Sequence, residues 1–315
     1  MRFGRAVFAL ALLAAAYLAA LIYVDQRSRL FDHLQEIGRF VPVLVLMSFS
    51  AFSLRYLRWK WLLDRHGFEM PWLNGFLSYL AGFALTVSPG RVGELIRIRY
   101  FARLSVPAEP VVACFIFERS CDLVVILLLA SLIGTAWLAL WQAALFVAVA
   151  IAAIAAAVAI SIKTSLWRRT AAWLRRGRWN RTARAVRVLG KGIARTAMFL
   201  HPVDLIGALL AGLVIWGLQA SGFVYLTTGL GLALPLGGAL ATYPLAALIG
   251  AASMLPGGIG STEAAATVIL TQLGAPLHTA VLAVVAMRLC THWLAIGLGL
   301  ASAALLEFVR REAIV

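Results

Sequence analysis

Apolar residues run along this chain in long blocks, not in the alternation of a half-buried strand or the stripe of a surface helix. The blocks cover about 6–24, 40–57, 110–134, 138–162, 204–228 and 277–306. Each is long enough to carry a helix across a hydrocarbon layer about 30 Å thick. Two further apolar stretches, 71–105 and 239–274, are broken near the middle by "SPGRVGE" and "LPGGIGSTE". Pro and Gly interrupt a helix at such points, and Glu94 and Glu263 follow the breaks at once. The pattern predicts an all-α polytopic membrane protein of about six full spans plus two re-entrant broken-helix hairpins. Residues 1–315 then form a single transmembrane domain.

Composition agrees with the pattern. Of 315 residues, 63% are hydrophobic and 13% charged, with a mean hydropathy of +0.92, whereas soluble domains are about half apolar and a quarter charged. Few strand-like alternations occur, which argues against a membrane β-barrel, and little polar sequence remains for a soluble catalytic domain. Cys114, Cys121 and Cys290 all lie in apolar blocks and fit neither a disulfide framework nor a metal site. The Arg-flanked block near the N-terminus has the length of an uncleaved first span and lacks a clear cleavage site.

Charge fixes the expected orientation. The formal net charge is +15, yet residues 163–200 hold eleven Lys/Arg and no acid, leaving +4 elsewhere. Between two spans, that segment reads as a basic cytoplasmic linker lying at the interface on anionic membrane lipids, and nucleic acid is not expected as a partner. Arg2 and Arg5 precede the first block, and Arg55, Arg58, Lys60 and Arg65 follow the second. If 71–105 turns back at its break, Arg97, Arg99 and Arg103 return to the same side, as do the linker and Arg310-Arg311. Both termini are therefore expected in the cytoplasm of a bacterial-type inner membrane, with 25–39 outside. Trp137, Trp141, Trp167, Trp173 and Trp179 read as interface anchors. His33, His66, His201 and His278 read as interfacial or solvated.

The two breaks belong to a repeat. Glu94 to Arg119 and Glu263 to Arg288 are both 25 residues apart, and Glu94 to Cys121 and Glu263 to Cys290 both 27, an offset of 169 throughout. Half one runs over about 1–134 and half two over about 138–306. The topology makes the copies enter from opposite faces, and inverted repeats of this kind build alternating-access transporters around a midplane site. Broken backbone at membrane depth is tolerated only beside protein or a water-filled cavity. The half-helix starts and the "GGIGS" amides are expected to draw an anionic group, a phosphate above all. Glu118, Arg119 and Asp122 fall on one span, Arg288 and His292 on another. Intramembrane charges must pair or face water, and pairs between Glu94 and Arg288 or Glu263 and Arg119 would lock the halves together.

"SPGRVGELIR", "FERSCDL" and "MLPGGIGSTEAA" together resemble the flippase-like membrane domain of lysylphosphatidylglycerol synthases, over nearly the whole chain. The resemblance implies movement of a lipid with a charged headgroup between leaflets; aminoacyl-phosphatidylglycerol is the usual substrate where a synthase is fused. No soluble acyltransferase-like segment follows here, so a stand-alone member is expected. The substrate stays open among a polyprenyl-phosphate-linked sugar, a phospholipid and a hopanoid-type lipid. The motifs carry over Gly90, Arg91, Gly93, Glu94, Glu118, Arg119, Asp122, Pro256, Gly257, Gly258, Gly260 and Glu263. Arg288 enters through the repeat alone.

The expected substrate-binding set is Arg91, Arg119 and Arg288 with Gly90, Gly93, Gly257, Gly258 and Gly260. Glu94, Glu118, Asp122, Glu263 and His292 are expected to pair charges or couple to protons. No catalytic residue, cofactor or metal is expected, and a homo-oligomer is left open. The rival classes are a membrane enzyme acting on a lipid phosphate and an ion-coupled transporter of a small anion. Ser261 and Thr262 beside Glu263 are candidate nucleophiles, but no His or second carboxylate is close in sequence to activate either.

Overall fold

Helix α1, Val41–Arg65, carries Pro42 in its first turn, where the missing N–H costs nothing. A computed structural model describes the protein over residues 37–133 and 179–312, with a few further positions at 15, 19, 167 and 170–173. Apart from positions 15 and 19, the expected span 6–24 lies outside the described residues, as do the span 138–162, the outer segment up to residue 36, His33, Trp137, Trp141 and much of the basic linker. The described residues are mostly helical, joined by turns and short loops, with no strand among them. The expected all-α polytopic membrane fold is what the chain adopts.

The remaining elements are α2 (Trp72–Ala81), α3 (Arg97–Phe101), α4 (Ala108–Ala130), α5 (Asn180–Arg195), α6 (Pro202–Gly229), α7 (Leu236–Ala252), α8 (Ser261–Gln272), α9 (Leu277–Arg288) and α10 (Leu294–Glu312). Helices α1, α6 and the joined α9–α10 are long and apolar enough to cross a membrane. At 23 residues α4 is about 35 Å long, and it brings Glu118, Arg119 and Asp122 into the interior. Leu46, Leu210, Val214 and Val268 are more than half exposed on these helices. In water that would be a liability, and in lipid it is the favoured face.

Both predicted breaks are present. After α2 the chain tightens into 3-10 turns over Gly82–Leu85 and Pro89–Ile96, an unusually long run for a geometry seldom kept beyond a few residues. Arg91 within it has φ 55°, in the left-handed region. After α7 the chain turns through Pro256–Gly258, with Gly257 and Gly258 both at φ 64°. Glycine adopts that conformation freely, whereas arginine does so under strain.

Packing between segments distant in sequence positions the breaks. Helices α4 and α9 both start directly after a proline, Pro107 and Pro276, which stand 169 residues apart. Helices α1 and α6 pack antiparallel: Arg39 donates to the Gly229 carbonyl at 3.0 Å, and Arg65 to Asp204 at 2.7 Å from the opposite ends. The first broken segment packs on α10, where Gly299 meets the Leu80–Ala84 backbone with no room for a Cβ. The second packs on α4, and the two breaks touch each other.

One expectation is corrected at α1. The apolar block ends near residue 57, but the helix continues to Arg65, so Arg55 and Arg58 lie inside it, 5% and 3% exposed. They are not a basic patch beyond a span end, because carboxylates on α4 face them and hold them in the interior. Arg97 is corrected likewise: it is 1% exposed, against Tyr79 and Glu94. This charged layer shares α1 and α4 with two apolar cores. One gathers Leu44, Val125, Trp216 and Phe223, the other Phe52, Trp59, Phe117 and Phe199.

Candidate functional site

The charged layer opens onto a cavity of about 290 Å³ between the two breaks, α1, α4, α6, α7 and the α9–α10 junction. Each wall comes from local helix geometry. Arg55 and Arg58 stand three apart on α1, and Glu118 and Asp122 four apart on α4, so each pair shares one face. Arg58 lies between the acids, donating to Glu118 and Asp122 at 2.8 Å each. Arg55 takes the other Asp122 oxygen at 2.8 Å, and Arg119 reaches Glu118 and Asp122 at 3.2 and 3.3 Å. Tyr79 also donates its hydroxyl to Glu118. Three arginines thus share two carboxylates. Of these five residues, Arg55, Arg119 and Asp122 line the cavity.

In the second half, Arg288 donates from Nε to Glu263 at 2.7 Å and from Nη2 to the Gly257 carbonyl at 3.1 Å. One guanidinium therefore ties the end of α9 to the break before α8. Glu263 uses its other oxygen to accept the Gly260 N–H at 2.8 Å, a capping interaction at the start of α8. A short π-helical turn over Leu289–Trp293 follows Arg288, a feature frequent at functional sites. It carries His292 to the cavity wall, where Nε2 is buried without a hydrogen-bond partner among the described residues.

Several expectations need correction here. Glu94 pairs with Arg97 at 3.2 Å and accepts from Thr86, and Glu263 pairs with Arg288, so neither cross-half lock forms. Each acid finds its arginine within its own half, because the helical turn or the returning helix presents one first. The glycine amides do not form an open anion nest. Gly258 N–H goes to the Leu255 carbonyl, Gly260 N–H to Glu263 and Gly93 N–H to the Ser88 hydroxyl. Helix α8 has capped itself, and guanidinium groups are left to meet an anion.

Of the expected set, Arg91, Arg119, Arg288, Asp122, His292, Gly257 and Gly258 line the cavity. Glu94, Glu118 and Glu263 stand behind it as partners of arginines, and Gly90, Gly93 and Gly260 shape the breaks. Arg91 forms no ion pair or side-chain hydrogen bond among the described residues. Arg55, Trp216, Gln219 and Tyr243 join the wall unforeseen, with Tyr243 hydrogen bonded to Thr291 at 2.8 Å. Arg55, at an odd depth for a cytoplasmic flank, was the one such residue with a readable signal.

His66, part-buried at the end of α1, bonds Asp204 at 2.9 Å. Cys114, Cys121 and Cys290 are buried free thiols, as their apolar surroundings imply. Among the described residues no group of His, Cys, Asp and Glu could hold a metal ion. The family model described as the lysylphosphatidylglycerol synthase TM region matches residues 5–299. No curated protein matches the chain.

Proposed function

The chain belongs to the lysylphosphatidylglycerol synthase transmembrane-region family, and from that premise we propose that it is a lipid translocase for an anionic, phosphate-bearing headgroup. The observation that carries this reading is the arginine-lined cavity where the two helix breaks meet. Guanidinium groups match phosphate oxygens in shape as well as charge. A volume of about 290 Å³ lies at the small end of ligand cavities, about 300–1,000 Å³. It admits a headgroup, while the acyl chains remain in lipid.

The broken segments are re-entrant hairpins of an inverted repeat in this reading, with alternating access about the shared site. The antiparallel pairing of α1 with α6 supports it, as does the exchange of partners between halves, each break packing on the other half's last helix. The termini are cytoplasmic and the headgroup crosses without covalent chemistry. The buried network around Arg58 acts as scaffold, and Arg91, Arg119 and Arg288 act on the lipid.

The test is leaflet exchange of a fluorescent anionic phospholipid in proteoliposomes. Arg119→Ala and Arg288→Ala should each slow exchange at least tenfold at equal incorporation. Unchanged exchange in both variants would remove the arginines, and with them the reading.

A further inference from the structure

We propose that the cavity is built for a headgroup bearing two negative charges, a phosphomonoester or a diphosphate, and rejects an aminoacylated, cationic one. The inference rests on the translocase reading and names its substrate class.

The first ground is the balance of charge. Around the cavity, six arginines (Arg55, Arg58, Arg91, Arg97, Arg119 and Arg288) face four carboxylates (Glu94, Glu118, Asp122 and Glu263) among the described residues. Counting His292 neutral, two positive charges have no carboxylate to answer them. Uncompensated charge at this depth is costly, and a ligand of opposite charge removes that cost.

The second ground is where the excess sits. One surplus charge belongs to the trio Arg55, Arg58 and Arg119, which share Glu118 and Asp122. The other is Arg91, which has no ion pair among the described residues; Glu94 attracts it from a distance, while Arg119, Arg55 and Arg288 repel it. Arg55, Arg91 and Arg119 all line the cavity, so both surplus charges are presented to its contents. Arg119 Nε and Trp216 Nε1, on residues of the same wall, are buried donors without a partner among the described residues, and both can only donate.

The third ground is what a cationic headgroup would find. Asp122 is the one carboxylate on the cavity wall among the described residues, and Arg58, Arg55 and Arg119 already occupy both its oxygens. Glu94 and Glu118 are fully buried behind the wall. An ammonium group would therefore meet guanidinium groups and no free anion.

The test uses purified protein in micelles and water-soluble dihexanoyl lipids, read by the fluorescence of Trp216 against a Trp216→Phe blank. At pH 8, dihexanoyl phosphatidic acid should bind at least tenfold more tightly than dihexanoyl phosphatidylglycerol. The lysyl ester of the latter should bind weakest. Arg91→Gln should lower phosphatidic acid affinity at least tenfold and bring it to the level of the monoanion. Equal binding of the three lipids, or no effect of Arg91→Gln, would overturn the dianion assignment and leave the translocase reading standing. Inorganic phosphate or pyrophosphate binding as tightly as phosphatidic acid would keep the dianion seat but overturn the lipid reading. Binding of no probe would overturn both.

Discussion

Replacing Arg58 by methionine should destabilise the fold by about 3–5 kcal/mol, the usual loss when one partner of a buried ion pair is removed. Arg58 and Glu118 have no exposed side-chain surface and Asp122 has 4%, so the acids left behind cannot reach water. Asp122 keeps Arg55 and Arg119, and Glu118 keeps Arg119 and the Tyr79 hydroxyl. This residual pairing puts the loss at the lower end, about 3 kcal/mol. Arg91→Gly should do the opposite. Arg91 has no ion pair among the described residues and sits at φ 55°, where a non-glycine residue pays about 1–2 kcal/mol. Glycine returns about 0.5–1 kcal/mol of that through its unfolded-state entropy, so the net gain reaches about 1 kcal/mol. Titration with SDS in mixed micelles, followed by helical circular dichroism, measures both. Lipid exchange by Arg91→Gly should meanwhile fall at least tenfold: more stable and less active. A loss in Arg91→Gly matching that of Arg58→Met would show Arg91 to be part of the scaffold and refute the division between the two arginines.

Glu263→Gln should cost about 1–3 kcal/mol by leaving Arg288 with a neutral acceptor and slow exchange; unfolding and transport assays on the same preparation check it. Gly299→Val should disrupt the seat of the first break, since no Cβ fits against Leu80–Ala84, whereas Gly217→Ala, with open space around it, should be neutral or slightly stabilising. Thermal unfolding of the pair separates a packing effect from a general intolerance of glycine replacement. Glu69→Cys and Ala233→Cys, at the exposed ends of the links after α1 and α6, should label from opposite sides of the membrane, Glu69→Cys from the cytoplasm. The buried native thiols keep the background low. Labelling of both from one side contradicts the inverted repeat.

The three spanning helices among the described residues and both breaks were legible in the sequence because each rests on a local property. Apolar length sets a spanning helix, and Pro with Gly at 89–90 and 256–258 stops one whatever the neighbours do. The pairing of charges was not legible, because it depends on which helices meet. Glu263 and Arg288 are 25 residues apart and join only when α9 returns alongside α8. Arg58 lies 60 and 64 residues from its two acids, and nothing near it in sequence separates an interior arginine from one at a headgroup. A basic residue just past an apolar block is ambiguous for that reason.

The same ambiguity accounts for the glycine amides. "GGIGS" has the composition of an anion nest, but Glu263 follows three residues after Gly260 and reaches back to cap its N–H. A built-in carboxylate is always at hand, so an external anion has to compete with it. A guanidinium whose acids are shared or missing has no such competitor. That is the position of Arg119 and Arg91, and under the proposed translocase reading it moves recognition of the headgroup from the backbone of the breaks to the arginines that the breaks hold in place.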